Sequence, residues 1–197
     1  MHGRVALLGK RSSVLEPLGE ALRGRGFDPL VIQVGSTAEV DRAAAHLREE
    51  RFEVVAFGRA VDDAWRRQVM DAARSRNPRA QRADGYAPII ELLVAQVEYA
   101  ARHSQAITDG DPVVVIEAVP DPAVIVRTTS NDIEVVRFQM GPLMRRRVTV
   151  MPVDREGSDA VAFFTRQPAD RRDFVSVRVD GVCVFVGDSL GRLPMCR

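Results

Sequence analysis

Gly9-Lys10-Arg11-Ser12-Ser13 stands between an apolar run, Val5-Ala6-Leu7-Leu8, and a pattern with Leu15, Leu18, Ala21 and Leu22 at helical spacing. A glycine, two cations and two hydroxyls at a strand-to-helix turn suit the holding of an anion, because the first amides of a helix point outward unbonded. The loop is neither a P-loop, which needs GxxxxGKS or GxxxxGKT, nor GxGxxG, since it carries one glycine. A capped turn with exposed cations is the competing reading. Ser13-Val14-Leu15-Glu16 reads as a capping box with Pro17 at the fourth helical position; alternatively Pro17 opens the helix and Ser12 to Leu15 are loop. A second loop, Gly58-Arg59-Ala60-Val61-Asp62-Asp63, follows the third apolar run. Asp62 and Asp63 are either an acid–base pair or an N-cap followed by a first-turn carboxylate, which the positive helix end favours. The candidate anion site is therefore Gly9, Lys10, Arg11, Ser12, Ser13, Gly58, Arg59 and Asp62.

No other motif names a reaction. His2, His46 and His103 stand apart, with no cysteine or second histidine at ligand spacing. Cys183 lies in an apolar run and Cys196 near the C-terminus, so neither a disulfide framework nor a zinc site is expected. HExxH is absent, and no order of serine, histidine and acid suggests a catalytic triad. The expectation is no catalytic residue, no metal and no cofactor. Arg145-Arg146-Arg147 offers a patch for an acidic polymer, but no aromatic residues interleave to stack on bases, and a solvated turn explains it. Trp65 falls on a predicted helix, where large apolar residues pack on a sheet; if exposed, it marks a partner surface.

Two rhythms organise the chain. In residues 1–103, apolar runs at Val5–Leu8, Leu30–Val34 and Phe52–Phe57 alternate with helical patterns, and Arg79–Tyr86 reads as a weak fourth strand. Gly24 and Gly26 stop the first helix. Ser36-Thr37-Ala38-Glu39 reads as a capping box opening the second. Asp62 can cap the third, which Asn77-Pro78 ends, and Pro88 opens a long helix from Ile89 to about His103. This alternation predicts a small doubly wound α/β sheet of parallel strands in the order 2-1-3-4. Ligands bind such sheets where the strand order reverses, between strands one and three, which is where the two loops above fall.

Residues 104–112, with Asp109-Gly110-Asp111-Pro112, read as a linker. Residues 113–197 then carry seven short β-rich runs: Val113–Val119, Ala123–Thr128, Ile133–Met140, Arg147–Val153, Ala160–Phe164, Phe174–Val179 and Val182–Val186. Turn signals at Pro120-Asp121-Pro122, Ser130-Asn131-Asp132, Gly141-Pro142 and Glu156-Gly157-Ser158 separate them. That is the pattern of an antiparallel β-sandwich. Asp180-Gly181 suits a type I′ hairpin turn, which pairs Val179 with Val182, Val177 with Val184 and Val175 with Val186. Six valines then share one core face, and Ser176, Arg178, Cys183 and Phe185 fall on the other.

The first half resembles the receiver and flavodoxin-like folds without their last strand-helix unit. A receiver needs acidic residues after strand one to hold magnesium, an acceptor aspartate at the end of strand three and a lysine after strand five. Here Gly9 and Lys10 follow strand one, Ala56-Phe57-Gly58 ends strand three, and no fifth strand is present. The resemblance thus implies a degenerate receiver-like domain without phosphorylation chemistry. The stretch RNPRAQRADGYAPIIELLVAQVEYA also resembles a pattern recurring in uncharacterised actinobacterial proteins. Gly-Pro-Leu before a strand and the closing hairpin resemble bacterial immunoglobulin-like modules, which implies a non-catalytic interaction role.

Composition narrows the classes. The 197 residues are 46% hydrophobic, enough for a folded core of one large or two small domains. The 28 basic and 27 acidic residues balance, which argues against a general nucleic-acid or membrane-surface binder. Lys10 is the sole lysine, an arginine bias that carries no functional weight. No membrane-spanning run or signal-peptide core is present, and a cytoplasmic protein is expected. The first functional reading is a non-enzymatic interaction or regulatory protein acting on a protein partner or on itself as a homodimer. The alternative is a binder, or an enzyme, for a nucleotide or other phosphorylated small molecule at the strand-end cleft.

Overall fold

The computed structural model of the chain describes residues 3–85, 89–104, 113–117, 123–140, 146–156, 159–163 and 172–188. The chain divides into two compact units, Met1–Ala106 and Ile107–Met195. The expected linker over 105–112, the start of the long helix at Pro88, the turns at 120–122, 141–142 and 157–158, and the residues Arg145 and Cys196 lie outside the described residues.

The first unit alternates β1 (Arg4–Gly9), α1 (Ser12–Gly24), β2 (Asp28–Gln33), α2 (Thr37–Glu49), β3 (Val54–Phe57), α3 (Asp63–Arg76), β4 (Gln81–Asp84) and α4 (Ile90–His103). Its strands run parallel in the order β2-β1-β3-β4. Apolar runs without polar alternation arise because both faces are covered. Ala6, Leu8, Val55 and Phe57 pack with Val40 and Leu47 of α2 and Val69 of α3. Val5, Leu7, Val54 and Ala56 pack with Leu15, Leu18 and Leu22 of α1 and Val94 and Val97 of α4.

Local signals set several helix ends. Ser36 caps α2: its hydroxyl accepts from the Glu39 amide, and the Glu39 carboxylate accepts from the amides of Ser36 and Gly35. Those bonds, the Gly35 amide first, hold the Glu39 carboxyl below its ordinary value. A depressed native pKa stabilises the fold above the unfolded value and is lost as pH falls through the native one. The Glu39 contribution is therefore complete above about pH 4.5 and disappears with further acidification. Ser36→Ala is expected to cost about 0.5–1 kcal/mol at neutral pH by urea denaturation.

The start of α1 departs from both sequence readings. Arg11 is the N-cap, Ser12 begins the helix, and Pro17 lies inside it. Pro17 forgoes the bond to the Ser13 carbonyl, a small loss one turn from the helix end. Burial of Leu15, Leu18 and Leu22 against the sheet sets the helix start instead. The helix stops where Gly26 takes φ 83, a left-handed value open to glycine.

The second unit consists of β5 (Val113–Glu117), β6 (Ala123–Arg127), β7 (Ile133–Met140), β8 (Arg146–Met151), β9 (Asp154–Glu156), β10 (Asp159–Phe163), β11 (Arg172–Val179) and β12 (Val182–Asp188). They form two antiparallel sheets, β5-β6-β10-β9 and β12-β11-β7-β8. Val124, Val126, Ala160 and Ala162 of one pack against Val135, Val175, Val177 and Val179 of the other, making a sandwich core. Among the described residues eight strands stand where seven were expected, because β9, Asp-Arg-Glu, has no apolar residue to announce it.

The closing hairpin turns at Asp180 and Gly181, with φ of 52 and 73, as a type I′ turn requires. Its register is not the one expected. Val179 pairs Val182 and Arg178 pairs Cys183, but Val177 then pairs Phe185 and Ser176 pairs Val186. The Val177–Val184 and Val175–Val186 pairs do not form; Val184 is the extra residue of a bulge. The shift falls on β12 because β11 is also paired without interruption to β7, from Arg172–Met140 to Val179–Ile133. The single core face is corrected too: Ser176, Arg178 and Cys183 are buried along with the β11 valines. No helix among the described residues is long and apolar enough to cross a membrane.

Candidate functional site

The strand order reverses between β1 and β3, so their carboxyl ends border a crevice. Each of the three adjacent strands there is followed or ended by glycine: Gly9 on β1, Gly58 on β3 and Gly85 on β4. The ladder runs on through them, the Gly58 amide donating to the Leu8 carbonyl at 2.7 Å and the Gly85 amide to the Phe57 carbonyl at 2.8 Å. The Gly9 carbonyl accepts from the Val34 amide at 2.9 Å. A Cβ on Gly58 would lie 3.4 Å from the Gly9 Cα, and one on Gly85 only 3.0 Å from Leu93 Cδ2 and 3.2 Å from the Phe57 carbonyl. A Cβ on Gly9 would lie 3.1 Å from Leu15 Cδ2, so the three strand ends form a close-packed backbone shelf whose glycines are required by the protein's own packing. Beneath it lies a cavity of about 40 Å³, between Val14 and Leu15 of the first turn of α1, Ala83 and Gly85 of the β4 end, and Leu93 and Val97 of α4. Its lining is apolar except for Asp84 and Gln96.

The predicted site residues surround this shelf. Ser12 and Ser13 are the first two residues of α1 and are exposed. The Arg11 side chain makes no cap, the first turn holds no acidic residue, and the Arg11 carbonyl accepts from Val14 and Leu15, each at 3.2 Å. The positive end of α1 is thus left without a side-chain cap of its own. Lys10 Nζ stands 3.6 Å from Asp62 Oδ2 and 5.3 Å from the centre of the Trp65 ring. Its carbonyl accepts from Gln33 at 3.4 Å. Trp65 is half-buried against the α2–α3 core, between the two roles the sequence left open.

Asp62 occupies the N-cap position of α3, yet its side chain makes no capping bond. The expected cap is corrected by the ion pair: Lys10 draws the carboxylate across the crevice. Asp63 turns instead to Arg66 at 3.5 Å, so the two aspartates address different cations and do not form an acid–base pair. Arg59 is exposed, and its carbonyl is bound by Arg66.

Arg66, Asp84 and Gly85 complete the site, and the sequence reading passed over all three. Arg66 Nη2 donates to the carbonyls of Gly58 at 3.2 Å and Arg59 at 3.1 Å, holding the loop after β3 closed. Its Nη1 lies 3.4 Å from Asp84, which also pairs with Arg82 at 2.9 Å. The three-residue spacing of Asp63 and Arg66 signals a helix pair, but nothing in sequence links Arg66 to Gly58. Gly85 was legible as a strand-ending glycine once β4 is stopped at Asp84 and not carried to Tyr86. Among the described residues no group of three or more His, Cys, Asp or Glu stands close enough to hold a metal ion.

No protein-family model matches the chain, and no curated protein matches it. Among solved structures, the NAD kinase from Archaeoglobus fulgidus in complex with ATP is similar at 14% identity, over 98% of this chain and 92% of that one, with a TM-score of 0.33. The two chains align along almost their full lengths but superpose loosely, so the likeness carries no ligand or activity across.

Proposed function

We propose that this is a cytoplasmic protein that works by binding: its first unit is a receiver-like module without phosphorylation chemistry, whose strand-end crevice takes a phosphorylated or otherwise anionic small molecule. In this reading the sandwich is a separate, non-catalytic interaction module of immunoglobulin-like type. The observation that carries the crevice is the uncapped start of α1 at the point where the strand order reverses. The free amides of the first helical turn favour negative charge, and Lys10 and Arg59 add to it. Asp62, Asp63 and Asp84 pair with Lys10, Arg66 and Arg82 in the free protein, so a ligand competes with Asp62 for Lys10 while Arg59 stands exposed beside it.

The test is a thermal-shift titration of the full chain with inorganic phosphate, ATP, a sugar phosphate and flavin mononucleotide. Binding to the native state adds about 2.7 kcal/mol of stability at a ligand concentration of 100 Kd, so at least one of these should raise the Tm with increasing concentration. Lys10→Ala should abolish most of the rise while leaving the ligand-free Tm within a degree or two, because an exposed ion pair contributes at most about 1 kcal/mol. A flat response to all four compounds would sink the proposal.

A further inference from the structure

The open edge of β8 suits pairing, and we infer that β8 joins its own copy from a second chain to make a two-fold dimer through a continuous sheet. β8 ends the order β12-β11-β7-β8; its inner edge pairs with β7, and its outer edge pairs with no described strand. Strand edges of soluble proteins are ordinarily blunted by charge, proline or a bulge, since their open amides and carbonyls invite another strand. The middle of β8, Val148-Thr149-Val150, has none of these and consists of three β-branched residues with high strand propensity.

The side chains point the same way. Three large apolar residues are exposed among the described residues, and two are Val148 at 44% and Val150 at 64%. Pairing of Val148 with Phe138 and of Val150 with Val136 puts both valines on the face where those two β7 residues are buried. An apolar stripe therefore runs from the buried interior of the sheet to its open edge and stops there.

A second copy fits that edge in one register. With the two-fold axis at Thr149, Val148 of each strand faces Val150 of the other. Both exposed valines become cross-strand pairs, the unit that stabilises a sheet. Arg147 then faces Met151, and the two Arg147 residues sit about 14 Å apart, beyond the ~10 Å screening length at moderate salt. Centring the axis on Arg147 would set like charges directly opposite, which disfavours that slip. The pairing ends at Pro152, which has no amide to donate. An antiparallel edge meeting itself is self-complementary, so the assembly closes at two. This surface is independent of the crevice.

Analytical ultracentrifugation of the full chain tests it. The wild type should show a monomer–dimer equilibrium. Val148→Lys with Val150→Lys should weaken self-association at least about tenfold, with the circular dichroism spectrum unchanged, since both side chains are exposed. Under mild oxidation Thr149→Cys should form a covalent dimer well above the wild-type background, and Arg147→Cys should not. A wild type that stays monomeric, a dimer indifferent to the lysine pair, or cross-linking at 147 and not at 149 would each overturn the inference.

Discussion

Asp173→Ala is expected to destabilise the second unit by about 3–5 kcal/mol, the cost of breaking a buried ion pair from one side. Asp173 and Arg137 are both buried. The guanidinium grips the carboxylate at two points: Arg137 Nε lies 3.2 and 3.1 Å from the two oxygens, and Nη2 bonds the second. Arg137 pairs across the strands with Val175, and strand alternation puts Arg137 and Asp173 on the face of Val135, Val175 and Val177, which form the sandwich core. Removing the carboxylate takes from the guanidinium a two-point partner beside that core. Replacing both members, Arg137→Met with Asp173→Leu, is expected to recover most of the loss, since well-packed apolar residues often equal a buried ion pair. Urea denaturation followed by circular dichroism measures both variants. A single-variant cost near zero would mean that water reaches the pair and that its burial is nominal.

Phe57→Ala is expected to cost about 3–5 kcal/mol in the first unit. Phe57 is among the largest fully buried side chains, in the core shared with α2 and α3. Its position ties packing to the site. The next residue is Gly58, and the Phe57 carbonyl accepts the Gly85 amide. A void at Phe57 therefore loosens two of the three glycine strand ends. Trp65 is the chain's sole tryptophan and packs on that core, so its fluorescence in urea reports this unit. A midpoint within about 0.5 kcal/mol of wild type would show that neighbours collapse into the space and that the strand end is not held by this ring. Any ligand-induced rise in Tm should shrink in the same variant, because the shelf it rests on is less ordered.

Much of this protein is written locally. Unbroken apolar runs between helical patterns announce strands covered on both faces, and with that the order 2-1-3-4 follows from chain connectivity and handedness. Ser36 and Glu39 lie three residues apart, and the capping box they form depends on nothing beyond that spacing. Asp180-Gly181 likewise takes its turn on a local conformational preference, which the Asp132 carbonyl and the Ser130 hydroxyl then reinforce by bonding Asp180.

What the tertiary structure decided lies where one group serves two masters in space. β12 must pair with a strand already locked to β7, so it bulges at Val184 although its own alternation is regular. Asp62 could bond its helix amides, but a lysine from another loop stands close enough to take the carboxylate. Pro17 sits inside α1 because three leucines gain more from burial than one carbonyl loses. Arg66 reaches Gly58, Arg59 and Asp84 only once β3, α3 and β4 are packed side by side. Spacing along a chain encodes interactions within about a turn of helix or strand pair; competition among distant partners for the same charge or backbone group is settled only when they meet.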